Sequence, residues 1–134
     1  MQLAATRIFT DDVDALVTFY ERVTGLDIAR VHPLFAELRT PSGTLAIAST
    51  RTVPALGEGV AAARQNRSVA LDFHVEDVDA LYGTLTDLAD AVVLPPTVMP
   101  WGNKSLLLRD PDGNLVNLFT PPAAGRTAPE DTGA

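Results

Sequence analysis

The chain has 134 residues, of which 46% are hydrophobic and 20% are charged. This composition favours one globular protein and excludes a collagen-like repeat or a chain that is disordered throughout. The net charge of -7 would repel nucleic acid phosphates and anionic lipids, so we expect neither nucleic acid nor membrane as a partner. The absence of cysteine excludes disulfides and a thiol nucleophile, and no apolar run approaches the roughly 18 residues that span a bilayer. We therefore expect a cytoplasmic protein without a targeting segment.

The chain contains an internal repeat. The segment Asp-Val-Asp-Ala-Leu at 12–16 recurs at 77–81, an offset of 65 positions. The segment Arg-Thr-Pro-Ser-Gly-Thr-Leu at 39–45 aligns with Arg-Asp-Pro-Asp-Gly-Asn-Leu at 109–115, an offset of 70 positions. Two matches in the same order predict two copies of one structural module.

Each half is predicted to fold in the order βαβββ, beginning with a strand at 3–10 or 68–75. Asp12 and Asp77 follow these strands, where their side chains can accept hydrogen bonds from the first turn of a helix. The strands after each helix should end in a hairpin, because Pro-Ser-Gly and Pro-Asp-Gly suit a tight turn. These later strands are predicted at 28–31, 34–40, 43–50, 91–94, 104–109 and 113–120.

The apolar spacing within each predicted helix indicates which side faces the core. Gly25 is expected to end the first helix, and the second helix is expected to continue an apolar stripe through Tyr82 as far as Leu88. The predicted organisation is a first module at 1–50, a linker at 51–67, a second module at 68–120 and a disordered tail at 121–134.

Three short motifs accompany the duplicated unit. They are Phe19-Tyr20 late in the first helix, Pro100-Trp101-Gly102 before a hairpin, and Asp110-Pro111-Asp112-Gly113-Asn114 at its turn. Over residues 3–120 the chain resembles the vicinal oxygen chelate superfamily, which includes glyoxalase I, extradiol dioxygenases, fosfomycin-modifying enzymes and bleomycin-sequestering proteins. The resemblance implies an α+β fold of two tandem βαβββ modules, whose curled mixed sheets surround a shared cavity, usually within a homodimer.

The expected metal ligands of that superfamily are missing from this chain. In its metal-dependent members, the first and last strands of each module bind a divalent ion, typically through His and Glu. The resemblance places these four positions at Ala5, Ala70, Ile47 and Asn117. Three of these side chains cannot bind a metal, and the amide oxygen of Asn117 is a weak ligand beside a carboxylate. We therefore expect no metal and no cofactor.

Asp72 and His74 are the candidates for a site built from other residues. Strand alternation places both on the same face as Ala70. Metal binding by this pair stays open, as does a hydrogen-bonded pair or an ion pair with Arg7. The other histidine, His32, precedes Pro33 and is expected in a loop at the rim.

Strand alternation also predicts which side chains line the cavity that the resemblance implies. Aromatic walls with a few polar groups suit a small hydrophobic or aromatic ligand. Leu106, Leu108, Val116 and Leu118 are expected on the opposite faces, packed on the helices. The predicted ligand-binding residues are Arg7, Phe9, Phe35, Glu37, Asp72, His74, Trp101, Ser105, Asn117 and Phe119.

Three functional hypotheses remain. The chain is most similar in character to binding proteins of the bleomycin resistance type, which favours a metal-free protein that sequesters an aromatic or amphipathic antibiotic or natural product and has no catalytic residue. The alternative is a cofactor-free lyase, isomerase or cyclase of natural-product biosynthesis, with His74 as acid or base and Asp72, Glu37 or Arg7 orienting the substrate. A regulatory or scaffold domain with an unused cavity is the third.

Overall fold

The computed structural model describes residues 1–122, so most of the tail predicted at 121–134 lies outside the described residues. The chain divides into two compact units, the first formed by Met1–Asn66 with Pro111–Gly113 and the second by Arg67–Asp110 with the residues from Asn114. Each unit contains a four-stranded mixed sheet with helices. The predicted α+β fold of two tandem βαβββ modules is therefore confirmed.

In the first unit, β1 is parallel to β4, and the other neighbouring strands are antiparallel, in the spatial order β1-β4-β3-β2. Its helix α1 begins where the Asp12 side chain accepts a hydrogen bond from the Ala15 amide at 3.0 Å, and it ends at Gly25 with φ 70°. Leu16 and Tyr20 are fully buried on the side of α1 that contacts β3 and β4. The elements are β1 (Thr6–Thr10), α1 (Val13–Thr24), β2 (Ala29–His32), β3 (Phe35–Thr40), β4 (Gly43–Ser49), a 3₁₀ turn (Thr50–Thr52) and α2 (Val53–Leu56).

The second unit repeats this arrangement, in the order β5-β8-β7-β6, with β5 parallel to β8. The Asp77 side chain accepts a hydrogen bond from the Ala80 amide at 3.1 Å, as Asp12 does from Ala15 in the first unit. The edge strand β6 contains Pro95 and Pro96, which an edge can accommodate because one side of it needs no hydrogen bonds. The elements are β5 (Ala70–His74), α3 (Val78–Thr84), a 3₁₀ turn (Thr86–Ala91), β6 (Val92–Val98), β7 (Lys104–Arg109) and β8 (Leu115–Thr120).

The core of the second unit lies between its sheet and α3. Leu106, Leu108, Val116 and Leu118 are at most 1% exposed, and α3 contacts both β7 and β8. The expected packing of these four side chains on a helix is therefore confirmed.

The second helix is shorter than its apolar stripe predicts. It ends at Thr84, one residue after Gly83, a poor helix former, and Leu88 has non-helical angles, with φ −108° and ψ 20°. Tyr82 is 39% exposed. The prediction that Tyr82 and Leu88 continue one helical stripe of the core was wrong.

The two hairpins differ in length. In the first, Thr40 pairs directly with Gly43, whereas in the second, Arg109 pairs with Leu115 across a longer loop. The buried Asp110 side chain fixes this longer loop, because its two oxygens accept hydrogen bonds from the backbone and side-chain amides of Asn114 at 2.9 and 2.8 Å. Counted between matching pairs of strand residues, the second hairpin loop therefore has one residue more than the first. In the last strand of each module, structurally equivalent residues are 71 positions apart, whereas the repeated motif aligns at an offset of 70.

Candidate functional site

One face of the second sheet, named here the Asp72 face, carries Asp72, His74, Ser105, Asn117 and Phe119. The Asn117 side-chain amide on β8 donates a hydrogen bond to the Asp72 carboxylate on β5, with 3.1 Å between Nδ2 and Oδ1. Next along the strands, the rings of His74 and Phe119 stack with centroids 5.6 Å apart and planes 17° apart. Ser105 on β7 lies beside Phe119 in the same row. The structure therefore brings five predicted site residues onto one face.

The Asn117 side chain has a hydrogen-bonding capacity that the protein does not use. Because the Asp72 carboxylate can only accept, the amide must turn its Nδ2 toward Asp72 and its Oδ1 away. That Oδ1 is buried and accepts no hydrogen bond from residues 1–122. A buried acceptor without a donor lowers the stability of the folded protein by about 1–3 kcal/mol. Such an atom is therefore a candidate for a functional role.

The exposure of these side chains decides what a ligand can touch. Asp72 and His74 are exposed, and Phe119 is half-buried. Ser105 is 3% exposed, so it forms part of the floor and offers little direct contact. The accessible surface is therefore the imidazole ring beside the carboxylate.

The matching face of the first sheet, named here the Arg7 face, carries Arg7, Phe9, Phe35 and Glu37. Phe9 on β1 and Phe35 on β3 lie on either side of Ala48 on β4, and Arg7 and Glu37 lie on either side of Ala46. The Arg7 guanidinium carbon is 5.6 Å from the centroid of the Phe9 ring, a cation–π distance.

Glu37 is already paired on this face. Its Oε1 accepts hydrogen bonds from Nη2 and Nε of Arg39, at 2.6 and 2.9 Å. Arg39 lies two residues along the same strand, on the same face. The Arg7 face therefore presents two phenylalanines and one cation to a ligand.

Trp101 lies in a turn between strands, and His32 is the last residue of a strand. Trp101 is 57% exposed in the turn between β6 and β7, where the Gly102 amide donates a hydrogen bond to the Met99 carbonyl at 2.9 Å. His32, at the end of β2, accepts a hydrogen bond at Nδ1 from the Leu34 amide at 3.1 Å. His32 is therefore a strand residue whose side chain contacts the following turn, and the prediction of a loop position was wrong.

The residues at the expected metal positions do not fit a metal. Ala70 begins β5 and Ala5 directly precedes β1, and neither has a donor atom. Ile47 faces the helix side of its sheet and is fully buried, so it was wrongly matched to Asn117. The longer second hairpin makes Ala46 the counterpart of Asn117. Within residues 1–122, no three His, Cys, Asp or Glu side chains are grouped to hold a metal ion.

The first unit also contains a cleft that sequence reasoning missed. It lies around Asp11, Thr50 and Arg64, and most of its lining residues belong to the segment 51–67 that was predicted only as a linker. The signals that were available are Gly57 and Gly59, both of which have positive φ. Glycines of this kind indicate a shaped loop.

No helix in the described part of the chain is long and apolar enough to cross a membrane. A family model, the Glyoxalase/Bleomycin resistance protein/Dioxygenase superfamily, matches residues 2–118. No curated protein matches the chain.

Solved structures share the fold at low identity. A glyoxalase/bleomycin resistance protein/dioxygenase family enzyme from Burkholderia phytofirmans PsJN is 20% identical, with a TM-score of 0.76 over 90% of this chain and 98% of that one. A glyoxalase-related enzyme from Fulvimarina pelagi is 20% identical, with a TM-score of 0.74 over 89% and 87% of the two chains. TioX from Micromonospora sp. ML1 is 23% identical, with a TM-score of 0.66 over 90% and 98%. Because the family model matches nearly the whole duplicated βαβββ fold, the chain belongs to the glyoxalase/bleomycin resistance protein/dioxygenase superfamily.

Proposed function

We propose that the protein binds an aromatic or amphipathic small molecule, such as an antibiotic or another natural product, and releases it unchanged. The observation that carries this proposal is the Asp72 face, where a flat aromatic surface lies beside oxygen atoms that can accept hydrogen bonds. Ligand sites commonly combine an apolar surface with a few polar groups that fix orientation.

The aromatic part of the ligand would stack on His74. Its ring is exposed on one side and is supported by Phe119 on the other, so it is held flat before a ligand arrives. A ring that is already oriented loses little conformational entropy on binding. A planar ligand is favoured because it continues the stack.

The polar part of the ligand would be a hydrogen-bond donor. Asp72 uses Oδ1 to accept from Asn117, which leaves its exposed second oxygen for a ligand, whereas Asn117 Oδ1 is buried and Asn117 acts by holding the carboxylate in place. The net charge of -7 also favours a protonated ligand over an anion. The Asp72 face therefore suits a planar aromatic molecule that carries an amine or a similar donor.

The Arg7 face is proposed as an additional ligand surface on the strength of Phe9 and Phe35. These rings flank the small side chain of Ala48 across three neighbouring strands. The resemblance to the superfamily also implies a homodimer, which sedimentation velocity would test.

The test uses 9-aminoacridine, a planar aromatic cation that carries an amino donor, followed by its own fluorescence anisotropy. We expect saturable binding of one molecule per chain and recovery of unchanged 9-aminoacridine by mass spectrometry. Acridine, which has the ring without the amino group, should bind about tenfold more weakly because a charge-assisted hydrogen bond is lost. Equal binding of the two compounds would contradict the assigned role of Asp72 as the acceptor.

The two histidines provide a matched pair of variants. His74→Ala should weaken 9-aminoacridine binding about fivefold, from the loss of one stacking contact. His32→Ala removes the same side chain from the end of β2 and should change nothing. A new product that disappears in His74→Ala would favour the enzymatic alternative, with His74 as acid or base, and overturn capture without reaction.

A further inference from the structure

The cleft in the first unit lies apart from both faces and has a volume of about 440 Å³. This volume falls within the range of about 300–1,000 Å³ that is usual for small-molecule sites. Its walls come from Asp11 directly after β1, the 3₁₀ turn at Thr50, the short helix α2 and the chain that follows. The lining residues used below are Asp11, Val53, Pro54, Glu58, Ala61, Ala62, Ala63 and Arg64.

Arg64 is fixed in position at this cleft. Its Nη2 donates to Oδ2 of Asp11 at 2.8 Å, and Oδ1 of Asp11 accepts from the Thr50 hydroxyl at 2.6 Å. The Thr50 hydrogen bond, followed by that of Arg64, holds the pKa of Asp11 below its ordinary value, so the carboxylate is charged. The backbone of Arg64 has φ 61°, an uncommon left-handed conformation for a residue other than glycine.

Arg64 is the cationic donor that lines the cleft. Both oxygens of Asp11 are already engaged, so Asp11 offers a ligand little. The guanidinium has five N–H groups in a planar fork, and within residues 1–122 Asp11 is its partner through Nη2 alone. With a side chain 55% exposed, Arg64 can donate its other N–H groups to a ligand carboxylate.

One part of the cleft lining is aliphatic, and the rest is polar or charged. Ala61, Ala62 and Ala63 contribute methyl groups, and Val53 and Pro54 add aliphatic surface. Glu58, which is exposed and opposes an anion, has no ion pair or hydrogen bond within the described residues. An arginine fork above an aliphatic wall matches a carboxylate attached to a small hydrocarbon group.

We propose that this cleft binds a small apolar carboxylate, with its carboxylate on Arg64 and its hydrocarbon part against Ala61, Ala62 and Pro54. This site is independent of the function proposed for the Asp72 face, since none of its lining residues belongs to that face.

The test is a titration of the full, ¹⁵N-labelled chain with benzoate, followed by amide chemical shifts. We expect saturable shifts at Ala61, Ala62 and Arg64. Benzamide and benzamidine share the ring of benzoate and are neutral and cationic, respectively. Benzamide should bind about tenfold more weakly, and benzamidine should cause no saturable shift there.

Two glycine variants separate the Arg64 fork from the general charge of the chain. Arg64→Gly keeps the positive φ accessible and removes the fork, so benzoate affinity should fall about tenfold. Arg67→Gly removes one positive charge from an exposed residue outside the cleft and should leave benzoate binding unchanged. Arg64→Lys, which keeps the charge without the planar fork, should show an intermediate loss and provides a readout if the glycine variant does not fold.

Glu58→Gln should tighten benzoate binding about twofold, because it removes an exposed like charge. The proposal is overturned if benzamide binds as tightly as benzoate, if the shifts lie away from Ala61 and Ala62, or if folded Arg64 variants retain the affinity of the natural chain. None of these results depends on 9-aminoacridine, so the two sites can fail separately.

Discussion

The Arg7 face and the Asp72 face occupy matching positions on two copies of one sheet. Their side chains nevertheless differ in charge and in whether their polar atoms have hydrogen-bond or ion-pair partners. Arg7 corresponds to Asp72, and Phe9 corresponds to His74. On the Arg7 face, Glu37 pairs with a neighbouring arginine, whereas the Asp72 face holds a buried acceptor without a partner. The duplicated backbone therefore supports two different chemistries, and function must be argued from the side chains.

The hairpins of the two modules differ in the same way. The first is closed by the half-buried Thr40, whose hydroxyl donates to the Gly43 carbonyl at 2.7 Å. The second is closed by the buried Asp110, which binds Asn114 through both oxygens. The Asp-Pro-Asp-Gly-Asn motif therefore stabilises its turn. We expect substitution of the closing residue to lower the free energy of unfolding more in the second hairpin than in the first.

The largest expected effect is on this turn. Asp110→Ala should lower the free energy of unfolding by about 2–3 kcal/mol, because it leaves the buried amides of Asn114 without their acceptor. Thr40→Ala, the matched change in the first hairpin, should cost less than about 1 kcal/mol because water replaces the lost hydrogen bond. Urea unfolding of both variants measures the difference, and equal losses would contradict the contrast between the hairpins.

The next prediction concerns two matched substitutions that should change the stability to unfolding in opposite directions. Asn117→Leu removes the unpaired buried acceptor and should raise the stability to unfolding by about 1 kcal/mol while weakening 9-aminoacridine binding. Ala46→Leu, at the matching position, enlarges a side chain that is 3% exposed and should cost about 1–3 kcal/mol. Thermal unfolding tests both, and a destabilised Asn117→Leu would show that the acceptor is satisfied.

A smaller effect separates the two aromatic surfaces. His74→Ala should weaken 9-aminoacridine binding about fivefold, and Phe9→Ala should weaken it by less than about twofold, because Phe9 lies beside the cation Arg7. Anisotropy titrations of the two variants measure the ratio. If Phe9→Ala causes the larger loss, the assignment of the ligand to the Asp72 face is wrong.

The smallest effect is the pH dependence at Asp11. Since the folded pKa of Asp11 is lowered by hydrogen bonds from Thr50 and Arg64, its stabilising contribution is present above the ordinary carboxyl pKa. That contribution is lost as the pH falls through the folded pKa. Asp11→Asn should therefore lose less stability on acidification than the natural chain, as measured by urea midpoints between neutral pH and pH about 3. Identical acid profiles would contradict the ionic role of Asp11.

Local signals predicted the helix starts at Asp12 and Asp77, because a capping residue and its first turn are neighbours in sequence. Strand alternation is also a short-range property of the sequence, and it correctly placed Asp72, His74 and Asn117 on one face. Nothing local reports which polar atoms stay unpaired, so the orphaned oxygen of Asn117 required the structure.

The failures have long-range causes. Ile47 was mismatched because a single extra residue in the second hairpin reverses the face of every later side chain. The cleft at Arg64 was missed because Asp11 and Thr50 are 39 positions apart and meet only after the first sheet has formed. Such contacts between distant segments leave no periodic signal in the sequence.

The most direct test of the Asp72 face is the side-chain amide resonance of Asn117 during a titration of ¹⁵N-labelled protein with 9-aminoacridine. The account predicts that this resonance shifts and saturates at one ligand per chain, together with the backbone amides of His74 and Phe119. Binding that leaves the Asn117 amide unmoved, or no binding, would contradict it.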